Sequence, residues 1–244
     1  MTAEAPEVSV IVLGWNGREY VDGCLSSLID QDYDQPYEIL FVDNGSTDGT
    51  PDLAAAYERV TVHRLDRNYG YCLGNNKGFE FSRGRYVVFL NQDVVAHRAW
   101  LRESVAAIES APATRAAHAN IIQPWYPEFA AMERSAPVES VYTADLSRLG
   151  YIHYRCLPTP PAVVDTLFLH GVSIIVERSL IDEMGYAFDP GMFAYAEDMD
   201  LALRARVRGV RTVVATRAVI YHKHTLDERL SLRTLRKTVR IIRN

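Results

Sequence analysis

Cysteine is scarce: Cys24, Cys72 and Cys156 are the three in 244 residues, scattered and without a CxxC pair. That excludes a disulfide framework and argues against a cysteine-ligated zinc site. Long apolar runs are also missing. No uncharged stretch approaches the ~20 residues that a membrane-spanning helix requires. The opening Met-Thr-Ala-Glu-Ala-Pro-Glu lacks the apolar core of a secretion signal, so a cytoplasmic, reduced protein is the expectation. Positive charge is in deficit, 26 Lys and Arg against 31 Asp and Glu. This speaks against a nucleic-acid partner, because neutralising phosphates takes a basic surface. Internal repeats and low-complexity linkers are lacking too, so one compact domain is expected over two. What remains, 48% hydrophobic and 23% charged residues, is the balance of a folded globular chain with room for one large α/β domain.

Residues 8–13 form a continuous apolar run rich in β-branched side chains, closed by Gly14 and Asn16-Gly17. That reads as a buried strand ending in a tight turn. Val21, Cys24, Leu25, Leu28 and Ile29 then mark one face of a helix. A second strand over 38–42 ends at Asp43, and Thr50-Pro51 predicts a helix start with Thr50 as N-cap and proline in the first turn. Residues 60–65 and 85–90 read as further strands. The alternation predicts a mostly parallel sheet flanked by helices, with ligands bound beyond the carboxyl ends of the strands. Asn16, Asp43, Asn68 and Asp93 all fall just past strand ends. The second half is less regular. Helices are expected over 100–109 and 198–208, an extended segment over 117–123, and short strands over 211–215 and 219–224; 124–161 is rich in aromatics and proline.

Each polar cluster has two readings. Asp43 and Asp48 lie in Asp-Asn-Gly-Ser-Thr-Asp-Gly-Thr, residue types that favour turns and caps. Asp48 is read as turn chemistry, and Asp43, directly after a buried strand, as a carboxylate for a base or ribose. Asp93 in Leu-Asn-Gln-Asp either holds a hard divalent cation together with substrate phosphates or caps a helix over 94–100. Glu197, Asp198 and Asp200 crowd a helix start, where the macrodipole favours acids. The aromatic stretch before them (Phe188, Phe193, Tyr195) is also a setting that raises a carboxyl group's pKa toward that of a general base. His222 and His224 are surface histidines or metal donors on one side of a strand.

In order and spacing these pieces resemble the inverting glycosyltransferases of family 2, which have the GT-A fold, and especially their rhamnosyltransferase-like members. The resemblance runs from Val8 to about Thr225. Val-Ser-Val-Ile-Val-Leu-Gly-Trp-Asn16 is similar to the family's opening strand, and residues 43–50 to its nucleotide-contacting loop. Asn68-Tyr-Gly70 with Gly74-Asn75-Asn-Lys-Gly resembles the segment lining its donor pocket. Asn91-Gln92-Asp93 stands where the family has Asp-x-Asp, Gly171 where it has a glycine on the acceptor side, and Tyr195-Ala-Glu197-Asp198-Met-Asp200 where it carries its base.

The resemblance implies a nucleotide-sugar half over about 1–95 and a metal and acceptor half over about 96–225. Mn2+ or Mg2+ would be held by Asp93 and His222, with His224 as the fallback ligand. Asn16, Asp43, Asn68, Gly70, Asn75, Asn91, Gln92 and Asp93 would contact a UDP- or dTDP-sugar. Asp198 would be the general base, assisted by Glu197, with Gly171, Tyr195 and Asp200 on the side of a carbohydrate, lipid-linked or small-molecule acceptor. Asn91 departs from the usual acid and leaves Asp93 as the motif's one negative charge, which implies weaker metal binding without nucleotide.

Two rival enzymes lack their signatures: no G-x-G-x-x-G follows the first strand, and no Gly-rich basic loop marks a nucleotidyltransferase. A nucleotide-sugar-binding module with weak or no catalysis is the remaining alternative. Residues 226–244 place Leu232, Leu235, Val239 and Ile242 at helical steps among arginines. This basic amphipathic helix would pack on the domain or lie on an anionic membrane surface.

Overall fold

The computed structural model describes residues 5–122, 141–146 and 152–223. The chain runs through β1 (Val8–Gly14), α1 (Val21–Ile29), β2 (Tyr37–Asp43), α2 (Thr50–Ala55), β3 (Val60–Arg64), α3 (Gly70–Phe81), β4 (Tyr86–Asn91) and β5 (Val94–Ala96). It continues through α4 (Trp100–Glu109), β6 (Thr114–Ile122), β7 (Val141–Leu146), β8 (Ile152–Leu157), β9 (Val163–Asp165) and β10 (Ser173–Glu177). The last described elements are α5 (Arg178–Met184), α6 (Glu197–Val207) and β11 (Arg211–His222). His224, residues 226–244 and much of the aromatic-rich stretch lie outside the described residues. Among the described residues no helix is long and apolar enough to cross a membrane.

The central sheet has the order β3-β2-β1-β4-β10-β6-β11-β5, with β9 also paired to β11. From β3 to β4 the pairing is parallel, as the alternating pattern predicts. Beyond β4 the sheet is mixed: β10 is antiparallel to both its neighbours, while β6 and β11 are parallel. The chain steps outward from β1 through β2 to β3, then returns to place β4 on the other side of β1. That reversal creates a crevice between the carboxyl ends of β1 and β4, the position at which such sheets bind ligands.

β1 is apolar throughout because both its faces are covered. Val8, Val10 and Val12 join α1 and α4 in one core, while Ile11 joins α3, α5 and α6 in the other. α3 lies close on β1 because Gly74 and Gly78 face it. A Cβ at either would come within 2.8 Å of Leu13 or 2.6 Å of Ile11.

Three local expectations change. Residues 94–96 form a strand paired with β11 rather than the start of a helix, so Asp93 caps no helix and that reading of it fails. Thr50 is the first residue of α2 rather than its cap. Asp48 Oδ1 accepts its N–H at 3.0 Å and its hydroxyl at 2.5 Å, which is the local turn role expected of Asp48. The two short strands expected over 211–224 are one, β11, with a register shift between Ala215 and Val219. The irregularity leaves Arg217 exposed and lets Thr216 donate to Ala162 and Pro161 carbonyls before pairing resumes.

Candidate active site

Two adjoining cavities open at the β1–β4 crevice. The first, about 420 Å3, is lined by Asp93, His170, Gly171, Tyr195, Glu197, Asp198, His222 and Lys223 among others, a size that suits a small ligand. The second includes Gly14, Trp15, Tyr20, Asn44, Asn68, Gly70, Gln92 and Phe193. Tyr71, Asn91 and Asp93 form the wall common to both.

Backbone pairing sets this arrangement. Leu13 is level with Asn91 and Gly14 with Asp43, so three strands end at one height. Gln92 then folds back under the β1 turn. Its amide donates to the Trp15 carbonyl at 2.9 Å, and its side chain fills the space a Cβ at Gly17 would need, 2.1 Å away. Trp15 is left about half exposed at the rim. On the next strand Asp43 is buried; its Oδ2 accepts the Ser46 N–H, while its Oδ1 has no hydrogen-bond partner among the described residues. Asn16 accepts the Thr47 N–H at 2.9 Å and ties the two loops together.

Asn44 fixes the Asn68–Gly70 turn. Its amide donates to Asn68 Oδ1 and the Gly70 carbonyl, and its oxygen accepts from Tyr69 N–H. Gly70 is needed here twice over. Its φ is +81°, and a Cβ would stand 2.5 Å from the Phe193 carbonyl, which accepts the Tyr71 N–H at 2.7 Å. Gly70→Ala is therefore expected to destabilise the fold by about 1–3 kcal/mol through the left-handed backbone alone. Urea denaturation checks this, and an unchanged midpoint contradicts the close approach.

Tyr71 carries the link onward. Its buried hydroxyl donates to the Gly171 carbonyl at 2.5 Å, and the Gly171 N–H donates to Asp198 Oδ2 at 3.0 Å. Asp198 Oδ1 accepts the N–H of Met199. The residues that turn the chain into α6, Tyr195 and Ala196, have φ of +74° and +67°. Such strain in non-glycine residues persists where the surroundings enforce it, often at functional sites.

Glu197 differs from its neighbour. It is buried, its Oε2 has no hydrogen-bond partner among the described residues, and burial, reinforced by the charge of Asp198, pushes its carboxyl group up to about 7. The raised pKa anticipated from the aromatic surroundings thus falls on Glu197. Between its ordinary value of 4.5 and about 7 the unfolded chain ionises while the folded carboxyl stays protonated. The contribution of this carboxyl group to stability is therefore largest below pH 4.5 and is lost as pH rises to 7, by roughly 2–3 kcal/mol. Glu197→Gln is expected to remove that decline, so denaturant midpoints at pH 5 and pH 8 should converge in the variant.

Asp93 Oδ2 lies 3.3 Å from the buried Nε2 of His222. The β4–β5 turn thus meets the end of β11, and the Lys223 N–H donates to the Asp93 carbonyl. Among the described residues no group of three His, Cys, Asp or Glu side chains could enclose a metal ion. Two donors sharing a cation with substrate oxygens is, however, how a hard divalent ion is held beside a phosphate, and the Asp93–His222 pair fits that.

Four of the expected residues do not line the cavities: Asn16 and Asp43, which sit at the loops just behind the donor-side rim, and Asn75 and Asp200. Asn75 is fully buried in α3, its amide donating to the Tyr71 carbonyl one turn earlier. Asp200 lies two residues beyond Asp198, which on a helix turns it to the opposite side, where it pairs with Arg204 at 2.7 Å. Sequence reasoning missed Trp15, Asn44, Tyr71, His170 and Lys223. An exposed tryptophan beside a strand end was the one signal available locally.

A profile described as Glycosyl transferase family 2 matches residues 9–144, more than half of the chain. The chain belongs to this family. A second profile, Glycosyl transferase family group 2, matches residues 86–240. Among curated family relatives, glycosyltransferase AglE of Haloferax volcanii is 37% identical over 113 residues, 44% of this chain and 37% of that protein. The putative teichuronic acid biosynthesis glycosyltransferase TuaG of Bacillus subtilis is 40% identical over 97 residues, 38% of each. The matches thus span less than two fifths of either relative's length. GalNAc-T7 with UDP, GalNAc and Mn2+ superposes with a TM-score of 0.70 at 17% identity, covering 99% of this chain and 48% of that one. The mannosyltransferase PcManGT of Pyrobaculum calidifontis, in complex with GDP-Man and Mn2+, gives 0.66 at 19% identity, covering 92% and 59%. These likenesses show the fold of the family member described here, a GT-A-type central sheet flanked by helices.

Proposed function

We propose that this chain transfers a sugar from a nucleoside-diphosphate donor to an acceptor hydroxyl by a single in-line displacement with inversion. The observation that carries the reading is the common cavity at the β1–β4 crevice, onto which Asp93, His222 and Asp198 all open. The nucleotide occupies the neighbouring cavity. Trp15 offers an exposed aromatic face to the base, and the buried Oδ1 of Asp43 awaits a base or ribose donor, without which a buried acceptor costs about 1–3 kcal/mol. Asp93 and His222 would hold a divalent ion, Mn2+ or Mg2+, which would offset the charge of the diphosphate leaving group.

Asp198 takes the proton from the acceptor hydroxyl as it attacks. The Gly171 N–H on Oδ2 orients its carboxylate, and Tyr71 orients Gly171 in turn. Glu197, held protonated up to about pH 7, offers a hydrogen-bond donor to a sugar oxygen rather than a second base. Binding in fixed geometry and charge stabilisation then supply most of the acceleration.

The division into nucleotide and acceptor halves near residue 95 belongs to this reading. A panel of UDP-, dTDP- and GDP-sugars, assayed for nucleoside diphosphate release with Mn2+ and with chelator, tests it. Release from one donor, stimulated by Mn2+, is expected. Binding without release from any donor would favour a nucleotide-sugar-binding module.

A further inference from the structure

The two cavities are short of positive charge. Asp93, Glu197 and Asp198 face them, whereas Lys223 is the one Lys or Arg among the described residues that line them. Lys223 lines the first cavity beside Asp93, a residue of the common wall. Its N–H bonds the Asp93 carbonyl at 2.9 Å, extending the β11–β5 pairing by one residue. Its ammonium lies 4.7 Å from the ring centre of Tyr20, a residue of the donor-side cavity. The acid nearest to it, Glu19 at 3.5 Å, is 66% exposed. A pair this long and this wet holds the ammonium weakly.

We propose that Lys223 is a ligand of the donor diphosphate. It would supply from the chain itself part of the neutralisation that Asn91-Gln92-Asp93, one acid short, recruits less strongly from a cation. A lysine ammonium is a compact charge with three donors on a flexible stem, suited to phosphate oxygens that differ between ground and transition states. The role rests on the donor reading above and deepens it. Selectivity is its signature: Lys223 strengthens binding of a diphosphate and does nothing for the nucleoside.

Calorimetric titration of the full chain in chelator with UDP, dTDP and GDP, then with the nucleoside of the tightest, tests this. Lys223→Gln is expected to weaken the diphosphate about tenfold, the scale of one charge-assisted hydrogen bond, and to leave the nucleoside unchanged; Lys223→Arg retains most of the affinity. Glu19→Gln, an exposed change that frees the ammonium, is expected to tighten the diphosphate about twofold. Equal diphosphate affinity in Lys223→Gln and wild type overturns the role of Lys223 and leaves the donor reading standing. So does a parallel loss of nucleoside binding, or, should Lys223→Gln fail to fold, an unaltered affinity in Glu19→Gln. Failure of the wild type to bind any of the three diphosphates, with or without Mn2+, overturns the donor reading itself.

Discussion

Asp198→Asn is expected to lower kcat for sugar transfer by roughly 10^2–10^4, the contribution of a positioned general base, while nucleoside diphosphate affinity stays within about twofold. The asparagine keeps the shape of the side chain and can still accept the Gly171 N–H, bonded at 3.0 Å in the wild type. The fold and the donor cavity should therefore survive, since Asp198 lines the first cavity and not the donor-side one. What is lost is the ability to take the acceptor's proton. Single-turnover kinetics with saturating donor separates the two effects. Normal turnover by this variant would transfer the role of base to another group, and Glu197, the adjacent carboxyl with a value pushed up to about 7, would be the first to examine.

Asp93→Ala is expected to reduce transfer by about 10^2–10^3, comparable with removing one preorganised stabiliser of developing charge, and to make the residual rate insensitive to Mn2+. The substitution removes the one acid of Asn91-Gln92-Asp93 and leaves His222 without the carboxylate now 3.3 Å from its Nε2. The backbone should hold, because Asp93 meets Lys223 through its carbonyl, which alanine retains. Activity measured across a Mn2+ titration decides the point. A variant that keeps both its rate and its Mn2+ dependence removes Asp93 from the site.

The first half of the fold was legible because its signals are local. The apolar run of β1, the 3- and 4-residue spacing of α1 and the turn chemistry of residues 43–50 each speak within a few residues. The second half depended on pairing that no local pattern encodes. β10 inserts antiparallel between β4 and β6, and β11 continues through a register shift that reads in sequence as a break between two strands.

The site divides the same way. Asn68, Gly70, Asn91, Gln92, Asp93, Gly171, Tyr195, Glu197, Asp198 and His222 could be named from order and spacing, and the structure places all of them on the cavities. Asn16, Asp43, Asn75 and Asp200 do not line them, and for the last two the reason is that knowing a helix carries a residue does not tell which side of it faces a ligand. Tyr71 stayed invisible for a different reason. Its contact with Gly171 spans 100 residues, and nothing around a tyrosine in a glycine-rich helix announces such a partner. The burial that sets Glu197 apart from Asp198 likewise comes from packing, where the sequence shows two adjacent acids.

Reciprocal binding of nucleoside diphosphate and Mn2+ tests the shared site most directly. If the Asp93–His222 pair and the diphosphate hold one cation between them, each ligand must strengthen the other by the same factor. Titrating the tightest of UDP, dTDP and GDP in chelator and in saturating Mn2+ should show affinity rising roughly fivefold or more with the metal. The rise should be absent for the nucleoside and absent in Asp93→Ala. Identical diphosphate affinity with and without Mn2+ in the wild type would contradict a metal-bridged donor at this crevice.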